Sequence, residues 1–108
     1  MSSHYQKPVK ISIIIPAHNE ENYLPATFEK IRGAAENLDC DAEIIIADND
    51  STDKTKRIAE NFGAQVIFEK DRNIGRARNA GAKAASGDIL IFIDAATLVP
   101  ESLFRTIG

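Results

Sequence analysis

Residues 10–16 read Lys-Ile-Ser-Ile-Ile-Ile-Pro, with four isoleucines in seven positions. β-Branched side chains crowd a helix but fit a pleated surface, so the run is expected to be a strand. Being apolar on both sides, it suits a parallel sheet covered by helices on both faces. Pro16 is expected to end it. Similar runs follow at Glu43-Ile-Ile-Ile-Ala47 and Asp88-Ile-Leu-Ile-Phe-Ile93, with a shorter one at 65–69. Between them the apolar spacing changes to three or four residues. Leu24, Phe28, Ile31, Ala35 and Leu38 form one stripe on a helix of about 17 residues, with Pro25 in its first turn. Thr55, Ile58, Ala59 and Phe62 mark a second helix that stops at Gly63. Residues 75–85 form a third, whose Ala- and Gly-rich inner face lets it lie close on the sheet. Pro100 is expected to open one more.

The order β-α-β-α-β-α-β with right-handed crossovers implies an α/β domain with a Rossmann-like open parallel sheet of order 3-2-1-4. The chain reverses direction between the first and fourth strands, and a crevice opens at their C-terminal ends. Pro16 to Glu20, Asp48 to Asp53 and Asp94 to Thr97 all fall there. At 108 residues one domain fits, read as a loose leader over 1–9 and a folded unit over 10–108. Thirteen basic and 16 acidic residues give a net charge of −3, which disfavours nucleic acid as a partner. No apolar run approaches the ~20 residues of a membrane span, so the cytoplasm is the expected compartment. Cys40 is the only cysteine, which excludes an internal disulfide and a cysteine-based zinc site.

Carboxylates and amides at the ends of parallel strands accept nucleobase N–H groups and ribose hydroxyls. Asp48 and Asn49 suit a base edge and Asp94 a ribose. The same Asp- and Ser-rich turn would also serve to cap the second helix. Arg72, Arg76 and Arg78 surround the start of the third helix, where free amides favour an anion, and two of them could clamp a diphosphate. A solvated basic face is the alternative. His18 is assigned to binding at most, and no nucleophile–base arrangement is visible.

Four segments together resemble family 2 nucleotide-sugar glycosyltransferases of the GT-A fold. Ile13-Ile-Ile-Pro-Ala-His-Asn-Glu20 is similar to their "IIPAYNE" opening, and Ala47-Asp-Asn-Asp-Ser-Thr-Asp53 to "VDDGSTD" or "VDNGSTD". Asn73-Ile-Gly-Arg-Ala-Arg-Asn-Ala-Gly81 resembles "NxGxxxARNxG", and Ser86-Gly-Asp-Ile-Leu-Ile-Phe-Ile-Asp94 resembles "GDIILFLDAD". The resemblance runs from residue 10 to about 104. It implies that Pro16, Ala17, Glu20 and Asp48 or Asn49 cradle base and ribose. Arg72, Arg76 or Arg78 would lie near the diphosphate, and Asp94 would begin the DxD motif that holds Mn²⁺ or Mg²⁺. The implied partners are a UDP- or GDP-linked sugar and an acceptor of unknown identity, with inversion at the transferred centre.

The sequence departs from the family pattern at Asp94-Ala95-Ala96, where the second acidic residue is missing. One carboxylate with phosphates and waters can hold Mg²⁺, at an expected cost of at least ~10-fold in metal-dependent affinity. The chain ends where the family's acceptor-binding half begins, so it is expected to represent the donor half, inactive or strongly impaired alone and at the cytoplasmic membrane face if its parent is longer. A non-catalytic nucleotide-binding or assembly module is the alternative that Ala96 favours. A phosphoacceptor signalling domain would leave the Arg72 to Gly81 segment without a purpose. Residues 89–93 are also expected to form an exposed apolar edge, hence self-association.

Overall fold

The computed structural model describes residues 9–36 and 41–95. Its elements are β1 (Lys10–Ala17), α1 (Leu24–Ala35), β2 (Asp41–Asp48), α2 (Thr55–Phe62), β3 (Gln65–Phe68), α3 (Ile74–Ala84) and β4 (Ile89–Phe92). All strand pairs are parallel and the order is β3-β2-β1-β4, as the crossover argument requires. β1 lies between its two partners, which is why its run is so apolar.

Alternation along β1 divides the two layers. Ile11, Ile13 and Ile15 pack with Leu24, Phe28 and Ile31 of α1 and Ala59 of α2. Where these helices meet, Phe28 and Phe62 stack with ring centroids 4.1 Å apart, and the Arg32 guanidinium lies over Phe62 at 4.7 Å. Ile14 points to the other face, where α3 packs. A Cβ built on Gly81 would stand 2.5 Å from the Ile14 Cγ2, so the small-residue face of α3 does lie close on the sheet.

Several boundaries differ from the sequence expectation, each for a physical reason. β1 continues through Pro16 to Ala17. Ile14 bonds towards β4 and Ala17 towards β2, since their carbonyls accept from Ile93 and Asn49. By alternation, Pro16 faces the β4 side, beyond the last pair of that ladder, so its missing N–H breaks nothing. β2 extends to Asp41–Asp48 because pairing with β1 runs from Lys10↔Asp41 to Ala17↔Asp48. α1 is 12 residues long rather than about 17; Leu38 of the expected stripe lies outside the described residues. α3 starts one residue early, at Ile74, because the Asn73 side chain accepts the Arg76 amide at 3.1 Å as an N-cap. α2 does end at Gly63, in the left-handed conformation at φ 102°. Met1 to Pro8 of the leader, Ala96 and the helix expected from Pro100 lie outside the described residues.

The α3–β4 turn is fastened to the N-terminal end of the sheet. Glu43 accepts hydrogen bonds from Ser12 (2.5 Å) and from the amide and hydroxyl of Ser86 (2.7 and 3.0 Å). Gly87 donates to Ser12 Oγ at 2.8 Å, and an added Cβ there would meet Ser12 and Lys10 backbone within 3 Å. Burial would raise the Glu43 carboxyl, but the Ser12 and Ser86 hydrogen bonds and the Lys10 ammonium hold it below its usual value. This fixes β4 against β1, and so fixes where Asp94 emerges. Among the described residues, no helix is long and apolar enough to cross a membrane.

Candidate functional site

The loops that follow β1 and β2 are sewn together at the C-terminal end of the sheet. The Asn49 amide donates to the Ala17 carbonyl at 2.7 Å, and His18 Nδ1 donates to the Asn49 carbonyl at 2.8 Å. Asn19 receives the Thr52 amide on its side chain (2.8 Å) and gives its own amide to Ser51 Oγ (3.0 Å). The Glu20 amide reaches Thr55 Oγ1 at 2.9 Å. Asn19 and Asp50 hold positive φ values of 52° and 61°, a conformation Asn and Asp tolerate better than other side chains. Asp53 takes the Thr55 amide (2.9 Å) and hydroxyl and the Glu21 amide (3.2 Å), starting α2 while tying it to the first loop. Burial pushes its carboxyl up, but these hydrogen bonds outweigh that and hold it below its ordinary value.

A cleft of about 360 Å³ opens beside these loops, where the direction of the chain reverses. Of the residues singled out in the sequence, Pro16, Ala17, His18, Glu20, Asn49, Arg78 and Asp94 line it. Asp48 lies beneath, 4% exposed, with its carboxylate accepting the Ser51 amide at 3.2 Å. Arg72 is in the exposed loop before α3, and Arg76 turns to Asp71 at 3.5 Å on the surface. The cleft therefore gathers one arginine rather than three.

The remaining lining is an apolar wall with no precedent in the sequence argument: Ile74, Phe92 and Ile93. The Arg78 guanidinium lies 4.7 Å from the Phe92 ring centroid, a cation–π contact that holds the charge at the mouth of the cleft. An aromatic two residues before Asp94 was the available signal, but strand alternation alone could not say that it would face α3. Thr27 was missed too. Buried on α1, it donates to the Ala95 carbonyl at 2.5 Å and thereby fixes the backbone next to Asp94.

Two carboxylates share the cleft with Arg78. Burial first, then repulsion from Asp94 and Asp53, raises the Glu20 carboxyl above its usual value, with His18 opposing. Such carboxylates are relieved by a cation, and hard divalent ions take oxygen donors. No cluster of three or more His, Cys, Asp or Glu able to hold a metal occurs among the described residues. The donor set thus fits an Mg²⁺- or Mn²⁺-type ion held by one or two carboxylates and completed by a ligand's phosphates, and does not fit an all-protein cage.

Fold and site together define a doubly wound α/β domain with an acid- and arginine-lined cleft at its switch point. The chain belongs to glycosyl transferase family 2, whose family model matches residues 12–106. It is 39% identical over 92 residues to the 4,4'-diaponeurosporenoate glycosyltransferase of Staphylococcus haemolyticus, covering 79% of this chain and 24% of that protein. It is 34% identical over 92 residues to the dolichol-phosphate mannosyltransferase of Pyrococcus furiosus, covering 81% and 26%. The glucosyl-3-phosphoglycerate synthase of Mycobacterium tuberculosis, in complex with Mn²⁺, UDP and glucosyl-3-phosphoglycerate, superposes with a TM-score of 0.74 at 31% identity, over 91% of this chain and 37% of that one. The chain thus spans roughly a quarter to two fifths of the length of these proteins.

Proposed function

We propose that this chain is the donor-binding half of a glycosyltransferase that takes its sugar from a nucleoside diphosphate, with UDP as the first nucleotide to test. The observation that carries this is the placement of Glu20, Asp94 and Arg78 around one cleft at the switch point. Pro16 and Ala17 form the floor against which base and ribose lie, with Asp48 and Asn49 at the end of β2 and Asp94 facing the ribose hydroxyls. Arg78 meets the diphosphate, and Arg72 and Arg76 add positive field at the same helix start. A divalent ion on Asp94 would neutralise charge on the departing diphosphate. A neighbour of this fold in complex with both Mn²⁺ and UDP supports that donor chemistry. The acceptor and the group that deprotonates it are assigned to no residue of this chain.

A thermal-shift series with UDP, GDP, CDP and ADP, each with and without Mn²⁺, tests the proposal. Stabilisation by one nucleoside diphosphate that grows with Mn²⁺ is expected. Metal-independent stabilisation would favour the second reading, a nucleotide-binding module without metal chemistry, for which Ala96 is the relevant feature. No stabilisation by any of the four at millimolar concentration would refute both.

A further inference from the structure

We propose that Asn49 is a positioning residue: it sets the start of α3, and with it Arg78, and does not read the base. The inference rests on the donor-binding reading above and refines one residue of it. Asn49 is 7% exposed, and its side chain is occupied on both sides. The two amide hydrogens go to the carbonyls of Glu69 (2.9 Å) and Asp71 (2.6 Å), while Oδ1 accepts the Asn73 amide at 3.1 Å. Two carbonyls and one N–H fix which way the amide faces. What remains for a ligand is a single lone pair on Oδ1.

These bonds begin a relay. Asn73, held by Asn49, caps α3 through the Arg76 amide at 3.1 Å. Ile74 and Arg78 follow, one helical turn apart, and both line the cleft. The backbone of Asn49 meanwhile binds Ala17 and His18 at the other wall. One residue, through its backbone on one wall and its side chain on the other, therefore sets the separation between the floor of the cleft and its only lining arginine among the described residues. Asn is the one side chain of this size with two donors and an acceptor. Aspartate would set carboxylate oxygens against two carbonyls, and alanine would leave three backbone groups without their partner.

The test compares Asn49→Asp and Asn49→Ala with the unaltered protein, using inorganic pyrophosphate and uridine as separate probes. A charge-assisted contact depends on the position of its cation, so displacing the Arg78 guanidinium lowers anion affinity. Pyrophosphate affinity should accordingly fall ~5-fold or more and uridine affinity less than about twofold. A selective loss of uridine affinity would assign Asn49 to the base and overturn the proposal. Equal losses for both probes would mark a general structural role and overturn it too. Amide hydrogen exchange of the unaltered protein is the second measurement, independent of how well the variants fold. A protected Asn73 amide is expected, and exchange at the rate of an open loop would refute the relay. If neither probe binds the unaltered protein at millimolar levels, the donor-binding reading fails and this inference with it. Protection at Asn73 then still reports separately on the geometry.

Discussion

Replacing Gly81 by Ala sets two effects against each other. Alanine in a helix interior is favoured over glycine by about 1 kcal/mol. An ideal Cβ at Gly81, however, would stand 2.5 Å from Ile14 Cγ2 and 3.6 Å from the Ala47 Cβ. The first distance falls almost 1 Å short of ordinary contact, which begins at 3.4 Å. Ile14 is fully buried in the central strand and cannot yield without disturbing its neighbours. Overpacking of this kind costs typically about 1–3 kcal/mol, the upper part applying where the neighbour is fixed. The net expectation is a loss of about 1–2 kcal/mol, or roughly 5–10 °C in melting temperature for a domain this small. Urea unfolding followed by far-UV circular dichroism reads it, with an unchanged m-value. Gly81→Ala combined with Ile14→Ala should lose at least ~1 kcal/mol less than the two changes summed, because the clash is gone. Equal or greater stability of Gly81→Ala would refute the close seating of α3, and with it the placement of Arg78.

Three further outcomes are expected. Ala96→Asp, which places a second carboxylate two residues after Asp94, should raise Mn²⁺-dependent enhancement of UDP binding by about 10-fold under the proposed metal assignment, measured by titration with and without metal. An unchanged response would remove Asp94 from the metal assignment. Glu43 and Asp53 are held below their ordinary values, so their contribution is present above the unfolded carboxylate range near pH 4 and is lost as pH falls through the lower folded values. Unfolding curves between about pH 6 and pH 3 should therefore show falling stability, weaker in Glu43→Gln, and parallel curves would contradict the network. β4 is an edge strand among the described residues, with Leu90 and Phe92 exposed, so sedimentation should show concentration-dependent association that Leu90→Lys suppresses.

Strand order was legible because four β-branched runs separated by helical stripes leave few topologies once crossovers are right-handed. Element ends were less so: pairing continues past the apolar residues, as where β2 begins at Asp41 opposite Lys10. Within the site, strand-end residues such as Ala17 and Asp94 followed from topology alone. Side-chain commitments did not. Arg76 and Arg78 stand two apart on α3, and helical geometry sends one to Asp71 and the other over Phe92. Asn49 and Asp48 are adjacent at a strand end, yet Asn49 lines the cleft with its side chain bonded to the loop before α3, while Asp48 is buried with its carboxylate on the Ser51 amide. Thr27 is 68 residues from the carbonyl it binds, a contact no local pattern announces.

The most direct measurement is a UDP titration with Mn²⁺ followed at the backbone amides by two-dimensional NMR. Shifts should concentrate at Ala17, Glu20, Asn49, Arg78 and Asp94. Shifts confined to Lys10, Glu43 and Gly87 at the far end of the sheet, or none up to millimolar UDP, would contradict the account.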